Sequence, residues 1–105
     1  MTAHVIGTLE EIPVGEGRAF AVDGTQVAVY RLRDGSLRAL AAVCPHKGGP
    51  LADGLTDGRV VVCPLHGHTY DLITGTELGG SHAVCAYTAT AADDGTILIE
   101  TRPDL

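Results

Sequence analysis

The stretch "RAFAVDGTQVAVYRLRDGSLRALAAV", residues 18–43, decides the fold class. Three runs of strand-forming residues are separated by Asp23-Gly24 and Asp34-Gly35. An Asp-Gly pair between such runs predicts a hairpin, because a type I′ turn needs positive φ at both central residues. The same grammar continues outward. A third Asp-Gly lies in "TDGRVVV" (56–62), and "AVCAYTAT" (83–90) is followed by "ADDG" and "TILIE" (96–100). No window sustains a helical apolar period. The reading is an all-β, antiparallel sandwich or small barrel of about eight to ten short strands.

Between these runs the rhythm breaks. "AAVCPHKGGPLADG" (41–54) and "VVCPLHGHTYD" (61–71) concentrate Gly, Pro, Cys and His, and read as loops grafted onto the β scaffold. Cys44-Pro45-His46 gives C-x-H, Cys63-Pro64-Leu65-His66 gives C-x-x-H, and sixteen residues separate His46 from Cys63. Two thiolates and two imidazoles make a compact metal site with soft and borderline donors. Zinc accepts two Cys and two His, but zinc modules usually pair like with like. Here each loop carries one of each. That suits a [2Fe–2S] cluster with two cysteines on one iron and two histidines on the other, while a structural zinc module stays open as the alternative.

The spacing, with the flanking "CPHKGGPL" (44–51) and "CPLHGHTYD" (63–71), resembles the Rieske iron–sulfur family. The resemblance implies a single domain over residues 1–105. It would be an antiparallel β sandwich with an inserted two-loop cluster-binding subdomain within about residues 43–82. It implies one Rieske-type [2Fe–2S] cluster held by Cys44, His46, Cys63 and His66. Replacing two anionic thiolates by neutral imidazoles makes reduction easier, and such centres span about −150 to +300 mV against about −400 mV for plant-type ferredoxins. High-potential members carry a disulfide between the loops and a serine two residues after the second histidine. The matching positions here hold Gly49, Leu65 and His68, so the low end, near about −150 mV, is expected. Tyr70 stands where a hydroxyl would bond to a cysteine sulfur. Gly48, Gly49 and Gly67 would let the backbone crowd the cluster and aim N–H groups at its sulfides. His68 is expected at the cluster rim, at a partner contact or simply at the surface.

The resemblance also implies partners. The wording of residues 10–54 is similar to the small subunit of assimilatory NAD(P)H nitrite reductase, whose partner is a large sirohaem and flavin subunit. The alternative is the ferredoxin component of a ring-hydroxylating dioxygenase, placed between a reductase and an oxygenase. With 105 residues the chain has no room for a terminal oxygenase's second domain, so no catalytic site of its own is expected.

Composition agrees. At 45% hydrophobic and 19% charged residues the chain reads as globular. A net charge of −6 argues against a nucleic-acid surface and fits a positively charged docking partner. The N-terminus "MTAHVIGTLEEIP" shows neither a signal peptide nor a membrane span, so a cytoplasmic protein is expected. Three cysteines suit reduced thiols better than a disulfide framework. Cys85, alternating with Val84 and Ala86, reads as a buried strand thiol.

Overall fold

The computed structural model describes residues 2–22, 24–42, 54–56, 59–63, 67–80 and 83–101. Nine strands lie among them: β1 Thr2–Thr8, β2 Glu16–Val22, β3 Thr25–Arg31, β4 Leu37–Ala41, β5 Leu55–Thr56, β6 Val60–Val62, β7 Thr69–Asp71, β8 Ala86–Ala91 and β9 Thr96–Thr101. Six form one sheet in the order β1-β9-β8-β4-β3-β2, and β5-β6-β7 form a second. Every ladder is antiparallel. The outer strands β1 and β2 also touch, so the large sheet curls toward closure and its edges protect each other. The all-β class read from residues 18–43 is therefore the observed one.

Strand β3 organises the interior. Val27, Ala28, Val29 and Tyr30 are all fully buried, a run that only a strand covered on both faces shows. Because side chains alternate, Val27 and Val29 join Ile12, Ile97 and Ile99 in one apolar cluster. Ala28 and Tyr30 join Leu40, Val61, Cys63, Tyr70 and Leu72 in another. The second cluster ties the large sheet to the small one. Cys63 thus stands at the end of β6 on a packed floor.

The hairpins differ in detail from the expectation. Val22 pairs with Thr25, leaving the two-residue Asp23-Gly24 loop, with Gly24 at φ +80° and Asp23 outside the described residues. Asp34-Gly35 instead sits in a three-residue loop. Gly35 N–H donates to Leu32 C=O (3.0 Å), Leu32 N–H donates to Ser36 C=O (2.9 Å), and only the glycine turns left-handed, at φ +91°. Gly95, after Ala92, repeats the pattern at φ +88°. This is the type I turn with a left-handed glycine that often closes three-residue hairpins. The carboxylates of Asp34 and Asp94 explain the choice: each accepts a backbone N–H two residues on, from Ser36 and Thr96, at 2.9 Å.

Two elements were not foreseen. Strand β1 pairs along β9 with an irregularity between Val5 and Gly7. A short 3-10 turn, Leu9–Glu11, follows it, closed by a bond from Thr8 N–H to the Glu11 carboxylate (2.7 Å). One expectation is overturned. Cys85 is exposed, because β8 begins only at Ala86. Its carbonyl is engaged, accepting Ala41 N–H at 2.8 Å, but its side chain lies outside the packed run.

Candidate metal centre

Strand β6 delivers Cys63 as a 1% exposed thiol at its C-terminal end. The chain then turns back on itself. Gly67 N–H donates to Cys63 C=O at 3.0 Å, and Cys63 N–H donates to His68 C=O at 2.7 Å. Gly67 makes the reversal possible: it sits at φ +75°, in open space, so its requirement is conformational rather than steric. Strand β7 then returns beside β6 with Val62 opposite Thr69 and Val61 opposite Tyr70.

Beyond β7, Asp71 shapes the next reversal. Its carboxylate accepts Ile73 N–H (2.8 Å) and Thr74 N–H (3.0 Å), and Gly75 N–H donates to Asp71 C=O (2.8 Å). These backbone donors, Thr74 first and then Ile73, hold the Asp71 carboxyl below its ordinary pKa. Gly75 is buried at φ +79°, and a Cβ there would meet the Val84 carbonyl oxygen. The returning segment brings Glu77 opposite Tyr70 in an isolated bridge, with Leu78 N–H donating to Thr69 C=O at 2.8 Å.

Glu77 is a surprise of the site. It is only 8% exposed, and its carboxylate lies 2.5 Å from His68 Nδ1. Neither its spacing from His68 nor its neighbours marked it in the sequence; the sole hint is an acidic residue in the otherwise uncharged run "TGTELGG". His68, left open between cluster rim, partner contact and surface, is half-buried and anchored to this carboxylate. Tyr70 is fully buried in the apolar cluster that also holds Cys63. Among the nine expected site residues, Cys63, Gly67, His68 and Tyr70 come together on this hairpin. Cys44, His46, Gly48, Gly49 and His66 lie outside the described residues, as does His82.

The donor chemistry fits an iron–sulfur group. A reduced thiol on a packed strand end, at the mouth of a tightly closed reversal, is a preorganised soft ligand. The family comparison decides the matter: the model for the Rieske [2Fe-2S] domain matches residues 2–89. The chain belongs to the Rieske family. It is a Rieske-type electron-transfer domain, and its cofactor is a Rieske-type [2Fe–2S] cluster.

Relatives of this Rieske domain include nitrite reductase small subunits, dioxygenase ferredoxins and the oxygenase components of monooxygenases. A protein assigned as NADH-dependent nitrite reductase small subunit from Mycobacterium tuberculosis superposes with a TM-score of 0.86 at 28% identity, covering 93% of each chain. The ferredoxin of carbazole 1,9a-dioxygenase from Nocardioides aromaticivorans superposes with a TM-score of 0.84 at 30% identity, over 97% of this chain and 100% of the other. The ferredoxin component of a naphthalene 1,2-dioxygenase system from Pseudomonas aeruginosa is 36% identical over 70 residues, 67% of this chain. The chain spans 66% of the length of that relative. No helix among the described residues is long and apolar enough to cross a membrane.

Proposed function

We propose that this Rieske domain relays single electrons through a cluster bound by Cys44 and Cys63 at one iron and His46 and His66 at the other, as the small subunit of an NAD(P)H-dependent nitrite reductase. The observation that carries the ligand reading is the buried Cys63 thiol, held at the mouth of a reversal; in the sequence His66 comes three residues after it. Bound there, the cluster supplies a one-electron couple. The protein positions it: β6 and the apolar floor hold Cys63, and Tyr70 lies in the same packed cluster. Residues 1–105 act as one domain, with the cluster loops within about 43–82.

The partner reading rests on the 0.86 superposition, which runs over 93% of both chains. In it, a large flavin and sirohaem subunit donates or accepts the electron, and the −6 charge complements a basic docking face. A cytoplasmic setting, reduced and free of membrane, suits those thiols. The second reading, a ferredoxin feeding a ring-hydroxylating dioxygenase, draws on the carbazole and naphthalene relatives.

One experiment separates them. The anaerobically purified chain should be red-brown, contain two irons and two acid-labile sulfides per chain, and give a rhombic EPR signal once reduced. Affinity capture from its native host should then bring down a sirohaem protein. Capture of a non-haem-iron oxygenase or its flavoprotein reductase would replace the nitrite reductase reading by the ferredoxin one. A colourless zinc-containing product would overturn both.

A further inference from the structure

Glu77 is the charged residue buried among the described side chains, and it sits beside the ligand loop rather than in either apolar cluster. Burying a carboxylate is costly unless a charged or polar partner compensates, so its place needs a reason. Its carboxylate meets His68 Nδ1 at 2.5 Å. His68 in turn offers its carbonyl to Cys63 N–H at 2.7 Å. The segment carrying Glu77 is pinned to β7 by the isolated Tyr70–Glu77 bridge and the Leu78–Thr69 bond. Gly80 completes the arrangement, because a Cβ at that position would fall on the Glu77 carboxylate. Three separate features therefore converge on one carboxylate: a buried charge, an imidazole aimed at it, and a glycine that leaves it room.

Accepting the cluster reading above, we infer that Glu77 is a positioning residue for the second ligand loop, acting through His68 to fix the backbone that presents Cys63. The carboxylate holds the imidazole, the imidazole fixes residue 68, and the carbonyl of residue 68 fixes the Cys63 amide. The device stands in the position where high-potential relatives of the resemblance place a serine that bonds to a sulfide. Here residue 68 is tied away from that role by a buried partner. A carboxylate–histidine pair supporting a metal loop has a general physical precedent, since such pairs fix ring orientation in metal sites.

The test uses the full, cluster-loaded chain. Glu77→Gln should keep two irons per chain as purified but release them several-fold faster to an excess of chelator. Its reduced EPR signal should shift in g anisotropy. Hydrogen exchange of the peptide containing Cys63, read by mass spectrometry, should accelerate by about tenfold, the equivalent of one charge-assisted hydrogen bond. Gly80→Ala keeps Glu77 but crowds its carboxylate, and should reproduce all three changes. Ile97→Val, buried in the other apolar cluster, should lower Tm while leaving the g values and the Cys63 exchange at wild-type levels. Wild-type g values, chelator release and Cys63 exchange in both Glu77→Gln and Gly80→Ala would overturn the inference. A wild-type chain without iron or sulfide would instead remove the cluster reading on which it rests.

Discussion

In the six-stranded sheet, Val27, Val29, Ile97 and Ile99 are fully buried in one cluster, and the β3–β4 and β8–β9 links are short turns closed by their own aspartates. In the segment from Cys63 to Gly80, polar contacts do much of the ordering. Cys63 and His68 exchange a backbone bond, His68 meets a buried carboxylate, and Asp71 gathers two amides. Among the described residues of that segment, Cys63, Tyr70 and Leu72 reach the apolar floor. The framework tolerates loss of shape in proportion to area lost, because apolar burial is non-directional. The β6–β7 hairpin depends on direction, since each hydrogen bond requires a particular donor angle. A cluster with fixed bond lengths needs the second kind of order, and the fold supplies the first kind underneath it.

Substitutions on either side of that divide should behave differently. The largest effect is expected at Cys63. Cys63→Ser should abolish stable cluster assembly, whereas Cys85→Ala, at an exposed position, should load normally; iron and sulfide analysis checks both. A bleached Cys85→Ala with a coloured Cys63→Ser would reverse the ligand assignment. Next, Ile97→Ala removes most of a fully buried side chain from the framework and should cost about 2–5 kcal/mol in thermal unfolding. The visible spectrum of the folded fraction should not change.

Gly75→Ala sharpens the contrast from the other side. It forces a side chain into left-handed φ and against the Val84 carbonyl. A loss of roughly 1–3 kcal/mol is expected, with faster cluster loss as well, because the strain falls on the ligand hairpin. A smaller, purely electronic effect is expected at Tyr70. Tyr70→Phe should retain the fold and, if its hydroxyl donates to a cluster sulfur as the resemblance implies, lower the midpoint potential by a few tens of millivolts. The wild-type midpoint itself should lie near about −150 mV, and a value above zero would show that the surroundings of the sulfides have been misjudged.

The smallest effect is acid sensitivity. Asp71 is held below its ordinary value of 3.8 by Thr74 and Ile73 amides, and Asp34 and Asp94 by Ser36 and Thr96, side chains first and backbone amides next. Lowered folded pKa values contribute stability that is present above the unfolded value and fades as pH falls through the folded one. Tm should therefore be flat near neutrality and decline slightly below about pH 4, as solvent screens these exposed carboxylates. A Tm that falls as pH rises from 5 to 7 would contradict this assignment.

Much of the fold was legible because its causes are local. Asp-Gly and Asp-Asp-Gly punctuation, alternating or continuous β-branched runs and the absence of a helical period act over a handful of residues. The strand from Thr25 to Arg31 and the hairpin at residues 92–96 follow directly. Strand β1 escaped notice because "TAHVIGT" carries no turn signal before it and earns its place only through pairing with β9. Cys85 was misread because alternation was extended past the true start of β8. The Rieske-type cofactor was legible in residue types and spacings, since coordination chemistry is a property of the side chains themselves.

The amino-acid sequence by itself determined the β class and, through two Cys/His motifs, the kind of cofactor to expect, because turn preference and donor chemistry belong to short segments. Only the tertiary structure decided that Glu77 would reach His68, that Gly75 would lie under Val84 and that Cys85 would face solvent. Those outcomes depend on which distant strands pack together, and packing is settled by the whole chain's competition to bury apolar surface while satisfying every buried polar atom.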